Sequence, residues 1–330
     1  MRRRELITFI GNAAMAWPLA AHAQLPDRVR RIGVLMPDAQ DDPQSQADIT
    51  AFRQELQQEG WADGREVRID FRWSAGKPDA ARSAAAELLS LSPDVIVTDG
   101  RQGLEELRHA ALAVPIVFME IDDPVFYGFV RTLAHPDGNM TGFTGLQPSV
   151  GAKWLELLNE IAPRLARIAI VFNPRTAPGA VLFARAAEEV AQKFAVEVIR
   201  APVFEPADID TVLAMLAREG GGGLIFPIDT FTQLNRQRIF EIAARDRLPA
   251  IYGLRKLAAA GGLMSYGIDL SGQFREAAGY ASRILRGERP ADLPVQAPTK
   301  FELVVNRKAA GTLGFDVPPA LLARADAVIR

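Results

Sequence analysis

From residue 30 onward the chain switches repeatedly between short apolar runs and longer stretches whose apolar residues return every three or four positions. The short runs read as buried strands and the longer period as amphipathic helices, and their alternation is the signature of βαβ units on parallel sheets. The first run, "RRIGVLMPDA", predicts a strand over Ile32 to Met36. A helix follows over Asp48 to Glu59, with Ile49, Phe52 and Leu56 on one face and Gly60 as its stop. Next come "VRIDFRW", a helix through Leu88 and Leu89, the strand "DVIVTDG", a helix carrying Leu104 and Leu107, the strand "PIVFMEID", and "MTGFTG".

The same order then repeats. "ARIAIVFNP", "VEVIRAPV", "GLIFPID", "PAIYG" and "GLMSYGID" match the five earlier strands, at offsets of about 130 residues. Helices between them carry Phe183, Ala187, Val190 and Phe194, then Ile209, Val212, Leu213 and Leu216, in phase. The economical reading is α/β with two similar Rossmann-like lobes, parallel sheets flanked by helices, and a cleft between the lobes. A single long doubly wound sheet is the alternative that alternation leaves open. Each fifth strand precedes a long amphipathic helix, one with Trp154, Leu155, Leu158 and Ile161, the other with Phe274, Ala278, Ala281 and Leu285. These helices are expected to carry the chain across to the other lobe. The remaining residues supply one more strand and two short helices. The expected division is a leader over 1–23, one lobe from 24–146 plus 271–290, and a second from 147–270 plus 291–330.

The leader is read from its three zones. Arg2, Arg3 and Arg4 form a charged start, the stretch from Leu6 to Leu19 is mostly apolar, and Ala21-His22-Ala23 has the small-x-small form of a cleavage site. A periplasmic protein is therefore expected, beginning at Gln24 once processed, and the arginines also fit a twin-arginine export signal. The alternative is a cytoplasmic protein with an amphipathic first helix. Net charge is −2 before processing and about −4 after it, so bulk charge gives no reason to expect nucleic acid. With no cysteine in the chain, disulfides, thiolate metal sites and cysteine nucleophiles are excluded.

In open parallel sheets ligands bind beyond the carboxyl ends of the strands. Those ends carry Asp38, Thr98, Asp99, Gly100, Glu120, Asp122, Asp123 and Thr144 in the first half, and Asn173, Asp229, Thr230, Tyr252 and Tyr266 in the second. All of these except Glu120, twelve residues, are the candidate ligand-binding residues. Duller roles compete: Asp42-Pro43, Asp123-Pro124 and Asn173-Pro174 suit helix caps, Asp229 reads equally as cap or ligand group, and the two tyrosines could fill the core. Helix N-termini at such a cleft welcome a carboxylate, while Asp99, Asp122 and Asp229 suit an amino group. A zwitterion with an aromatic or apolar body fits both. A thermal-shift panel answering to sugars but not to amino or aromatic acids would count against that class.

The chain carries no complete catalytic motif. His109 and His135 lie far apart, and no H-E-x-x-H pair occurs. "GGLMSYG" lacks the glycine two residues before serine that a nucleophile elbow needs, and "SAGKPD" lacks the upstream glycine of a phosphate loop. No cofactor, metal or catalytic residue is expected.

The stretches "GWADGREVRIDFRW", "PIVFMEIDDPV" leading into "LAHPDGNMTGFTG", "GGLMSYGIDL" and "ADLPVQAPTKFELVVN", together with the N-terminal leader, resemble the ABC-transporter solute-binding proteins of the tryptophan/tyrosine-type family. The resemblance covers nearly the whole chain. It implies a type I periplasmic binding fold with a multi-stranded hinge, delivering a small solute to an ABC permease driven by a cytoplasmic ATPase. Where relatives often carry "GDP" after the fourth strand, this chain has Asp122-Asp123-Pro124, an extra carboxylate that adds an ammonium contact or repels an acid. The expected role is thus capture of an amino acid or an aromatic or carboxylic acid by a monomeric, non-enzymatic protein. Two alternatives stand beside it: a ligand-sensing subunit of a membrane receptor, and an enzyme using Asp99 and Asp229 as an acid–base pair. A cytoplasmic repressor is disfavoured because no helix-turn-helix is present.

Overall fold

The computed structural model describes residues 28–110 and 113–330; the expected leader over 1–23 lies outside the described residues. The first βα repeats give β1 (Arg30–Met36), α1 (Pro43–Gln58), β2 (Val67–Trp73), α2 (Pro78–Ser90), β3 (Val95–Asp99), α3 (Gly100–Ala110), β4 (Ile116–Ile121) and β5 (Met140–Thr144). The second set comprises α4 (Val150–Ile161), β6 (Arg167–Phe172), α5 (Ala180–Ala191), β7 (Glu197–Pro202), α6 (Pro206–Glu219), β8 (Gly222–Phe226), α7 (Thr230–Leu234), α8 (Arg236–Asp246), β9 (Ala250–Tyr252), α9 (Arg255–Ala259) and β10 (Met264–Ile268). The chain closes with α10 (Leu270–Leu285), β11 (Phe301–Asn306), α11 (Arg307–Leu313), α12 (Pro319–Arg324) and β12 (Ala327–Ile329).

The strands form two separate sheets, ordered β2-β1-β3-β4-β5 and β12-β11-β10-β9-β8-β6-β7. The single-sheet alternative is thereby set aside. Every pairing is parallel except β10 with β11, where Met264 faces Val305 and Ile268 faces Phe301 in antiparallel register. That reversal, and β12, extend the second sheet beyond the five strands the repeat predicts. Burial follows from the apolar patterns: strands such as β3, β5, β8 and β9 are buried along their whole length, as sheets covered on both faces require.

Helices complete four apolar layers. The first sheet packs one face against Phe52 and Leu56 of α1 with Phe274, Ala277 and Ala281 of α10, and the other against Leu88 of α2 with Leu104 and Leu107 of α3. In the second, Trp154 of α4 is fully buried, stacks on Phe183 of α5 at 5.2 Å, and donates its indole N–H to the Tyr266 carbonyl at 2.7 Å. Thus α4 leaves β5 to join the second sheet, and α10 leaves β10 to join the first. The chain then stays beside β5 past residue 290: Val295 donates its N–H to the Leu133 carbonyl, and the Gln296 N–H donates to the Gly142 carbonyl. The last crossing therefore falls after Gln296, later than the expected boundary at residue 290, because residues 295–296 still run hydrogen-bonded beside β5.

Three stretches join the lobes, around residues 145–149, at Asp269, and over 297–300. Side chains brace them: Gln273 donates to the Thr144 carbonyl at 3.0 Å, and Lys300 pairs with Asp269 at 2.7 Å. Among the described residues no helix is long and apolar enough to cross a membrane.

Candidate functional site

In each sheet the strand order reverses direction once, beside β1 and β3 in the first and beside β6 and β8 in the second. Connections leave such a point toward opposite faces, so a crevice opens at the carboxyl ends of the strands. The two crevices face one another and enclose a cavity of about 340 Å³. The first lobe contributes Asp38 after β1, Gly76 after β2, Asp99 and Arg101 at the β3–α3 junction, Glu120 near the end of β4, and Asp122 and Tyr127 after it. The second contributes Thr176 to Gly179 after β6, Ile228 to Thr230 after β8, Gln233 and Arg236, and Leu254 with Lys256 after β9.

The lobes touch across this space. Lys256, on α9 of the second lobe, donates to both carboxylate oxygens of Asp38, on the first, at 2.7 and 2.8 Å. Burial pulls the Lys256 ammonium down, but the facing carboxylates, Asp38 foremost, more than offset it and its pKa is raised. Asp38 also accepts the Ser45 hydroxyl at 2.8 Å. At the far wall Gly76 adopts φ +70°, and a Cβ there would stand 2.9 Å from the Thr230 methyl and 3.2 Å from Leu234. Only glycine allows the β2–α2 loop to approach α7 so closely.

The floor is acidic. Asp99, 5% exposed, ends β3, and Glu120 follows the neighbouring β4 residue Met119, which pairs with Asp99 in the sheet. Burial pushes Asp99 up to about 7, with Asp38 and Asp48 adding to the rise and Lys256 opposing it. Burial likewise raises Glu120 well above the usual carboxylate range, and the Asp99 charge adds to it. The two carboxyl groups are close enough to hydrogen-bond one another, yet Asp99 Oδ1 and Glu120 Oε1 are buried with no partner. Asp122 rises to about 6 through burial, with Arg101 opposing. Beneath Asp38, Asp48 rises to about 6 through burial, despite hydrogen bonds from Ser271 and Gln44. The N-terminus of α3, at Gly100 and Arg101, and the residues leading into α5, Ala177 to Gly179, open onto the same cavity from opposite lobes, and the positive ends of the two helices suit the anionic end of a solute. No group of three or more metal-ligating side chains occurs among the described residues.

Six of the twelve sequence-derived candidates line the cavity: Asp38, Asp99, Gly100, Asp122, Asp229 and Thr230. Asp229 does so mainly as a brace. One carboxylate oxygen accepts the Asn173 N–H at 2.9 Å, and the other accepts the Thr176 hydroxyl and the Phe231 N–H. Asp229 therefore caps α7 and stands at the cleft wall at once, with both carboxylate oxygens engaged inside the protein. The other six are placed elsewhere, which corrects the expectation. Thr98 is fully buried under α3, where a Cβ at Gly103 would meet its hydroxyl at 2.5 Å. Asp123 accepts the Phe126 N–H and shapes an exposed turn. Thr144 is buried at the hinge, and Asn173 accepts the Arg175 N–H.

Neither tyrosine of the second sheet reaches the cleft. Tyr252 is 2% exposed, stacked at 5.2 Å on Phe226 and edge-on to Phe240 at 5.6 Å. A Cβ at Gly262 would lie 2.5 Å from its ring, so that glycine is what lets the aromatic stack close. Tyr266 stacks on Phe301 at 5.7 Å. Strand residues alternate faces, and these two side chains turn toward the helix layers. The aromatic ring at the cavity is Tyr127, on the loop after β4, with Arg101 above it at 5.4 Å. The strand-end rule misses Tyr127, Arg101 and Lys256, and it places Glu120 at a strand end without counting it among the candidates.

Comparison with known proteins agrees with this architecture. The chain matches the model of the ABC transporter substrate binding protein family over residues 38–329. It belongs to that family. Its members are substrate-binding proteins, not enzymes. A tyrosine-binding protein of Clostridioides difficile is 24% identical over 255 residues, covering 77% of this chain and 73% of that protein. A conserved domain protein from Vibrio cholerae superposes with a TM-score of 0.81 at 26% identity, over 91% of this chain and 100% of the other. An ABC domain from Streptococcus pneumonia in complex with L-Trp gives 0.81 at 23% identity, over 92% and 100%. The family chain thus has the two-lobed fold that the internal repeat predicts.

Proposed function

We propose that this substrate-binding protein is the exported capture component of an ABC importer, closing its lobes on a small amine-bearing solute of the amino-acid class and presenting it to a permease with its ATPase. The observation that carries the reading is the interlobe cavity of about 340 Å³, walled by carboxylates on one side and by a helix N-terminus on the other. That volume is at the lower end for ligand clefts and suits a solute of amino-acid size. The tyrosine-binding relative and the L-Trp complex support the same class. Closure draws its free energy from contacts the ligand makes to both lobes at once. The charged, apolar and small-residue zones at the N-terminus support export.

Native mass spectrometry of the protein taken from its own host tests the capture role, with a thermal-shift panel of amino acids, amines, carboxylic acids and sugars. A stoichiometric, chemically unchanged adduct and a raised melting temperature are expected. Turnover of the bound species, or no adduct and no response to any class, would overturn the reading. N-terminal sequencing of the periplasmic form is expected to begin at Gln24.

A further inference from the structure

Seven carboxylate side chains line the cavity against three cations, Arg101, Arg236 and Lys256. The cations are already engaged. Lys256 is held by Asp38, Arg101 sits over Tyr127 and pairs with Glu105 at 3.7 Å, and Arg236 donates to the Gln233 carbonyl. Asp229 is consumed by its three donors and Asp42 by the Ser45 N–H. Of the remaining lining carboxylates, Asp41, Asp99, Glu120 and Asp122, it is Asp99 and Glu120 on the floor that each keep one buried oxygen with no hydrogen-bond partner. Unpartnered buried carboxylate oxygens are costly, and two of them side by side on the floor of a ligand cavity suit N–H donors from a solute.

The backbone gives independent support. Glu120 is held at φ +55°, a left-handed conformation that costs a non-glycine residue of order 1–2 kcal/mol, at the point where the β4–β5 register shifts between Phe118 and Ile121. Strain of this kind persists where the position of a side chain matters. Here it delivers a second carboxyl group next to Asp99.

We propose that Asp99 and Glu120 form the seat for a protonated primary amine of the captured solute, and that the amine enters in exchange for a proton the two carboxyl groups share. This rests on the capture reading above and deepens it. The exchange balances: the ammonium keeps its own charge, the shared proton leaves to solvent, and the pair becomes a fully ionised acceptor for N–H donors. A metal ion is a poorer occupant, because among the described residues no group of three or more side chains is placed to ligate one. Facing groups from every neighbouring element set the balance. Asp38 from the β1–α1 loop, Asp48 from α1 and Asp122 after β4 disfavour ionisation of the pair, and Lys256 from α9 favours it. The raised Asp99, at about 7, puts the exchange in the physiological range. Binding should therefore weaken as pH falls through that value, by about thirtyfold between pH 8 and pH 5.5.

The test pairs amines with deaminated counterparts: L-tyrosine with 3-(4-hydroxyphenyl)propionate, L-tryptophan with 3-(indol-3-yl)propionate, and L-lysine with hexanoate. Calorimetry at pH 5.5 and pH 8, in two buffers of different ionisation enthalpy, reads affinity and proton release together. At least one amine is expected to bind with release of about one proton at pH 5.5, with its deaminated partner at least tenfold weaker. Asp99→Asn and Glu120→Gln, each checked for an unaltered melting profile, should weaken the amine at pH 8 and flatten its pH dependence. The seat is overturned if a deaminated probe binds as tightly as its amine, if affinity is flat in pH, if both variants bind as the wild type does, or if only sugars or acids bind. Those outcomes leave capture standing. Failure of every class to bind, with no adduct on protein from its own host, overturns capture itself.

Discussion

The Lys256–Asp38 pair is the one described ion pair that reaches from α9 of the second lobe to the β1–α1 loop of the first inside the cavity, so its removal should loosen the closed arrangement before any ligand is added. Lys256→Met keeps most of the aliphatic stem and deletes the charge. The side chains are 16% and 25% exposed, and two short charge-assisted contacts in that partly wet setting contribute about 1–2 kcal/mol after solvent screening. Opening breaks this pair and leaves the lobe interiors untouched. The ratio of closed to open protein should therefore fall about five- to thirtyfold in the variant.

Because the chain contains no cysteine, Gln57→Cys on α1 and Thr211→Cys on α6 place one spin label on each lobe without background. Pulsed electron resonance on ligand-free protein then reads the distance distribution. Wild type should show a dominant short distance, and Lys256→Met a shift of population to longer ones. Raising salt to about 0.5 M, where the Debye length is a few ångströms, should move wild type the same way and leave the variant unchanged. Identical distributions in the two proteins, or a salt response that survives in Lys256→Met, would refute the assignment of this pair as an interlobe latch.

Other substitutions separate brace from binder. Tyr252→Ala, which empties a site closed by Phe226, Phe240 and Gly262, should cost about 3–5 kcal/mol of stability by denaturant titration; intact stability with lost binding would return the residue to the cleft. Asp229→Ala orphans three donors and should cost about 2–4 kcal/mol, with affinity falling as well because the 173–179 wall loses its tie to α7; unchanged stability would contradict this. Asp48 holds its proton to about pH 6 in the fold against 3.8 ordinarily, so the wild type gives up stability as pH rises through that window and keeps it below. Asp48→Asn should therefore be more stable than wild type at pH 8, by at most about 3 kcal/mol, with the advantage vanishing toward pH 4; a difference constant in pH between the two melting curves would argue against a buried neutral acid.

The scaffold was readable because its determinants are local and periodic. "VRIDFRW" is β2 to the residue, and the stripe through Trp154, Leu155, Leu158 and Ile161 is the buried face of α4. The repeat of the five-strand order forced two crevices, and the rule of strand ends then brought Asp38, Asp99, Asp122 and Asp229 to one cavity. What eluded the pattern depends on direction or on docking. Tyr252 and Asp99 both end strands, yet one turns into an aromatic stack and the other into the cleft, since successive strand side chains alternate faces and a one-residue difference in where the strand stops reverses the outcome. Lys256 sits on a five-residue helix, too short for a period to show, and becomes part of the site only when the lobes meet. Glu120 is the sharpest case: as a strand residue beside Met119 it belongs on the opposite face from Asp99's partner, and only the left-handed turn at φ +55° sets its carboxyl group against Asp99. An alternation of apolar and polar residues carries no record of such a turn. The acidity of this cleft could therefore be read from its strand ends, whereas the pairing that gives the acidity its chemistry arises from one strained backbone angle.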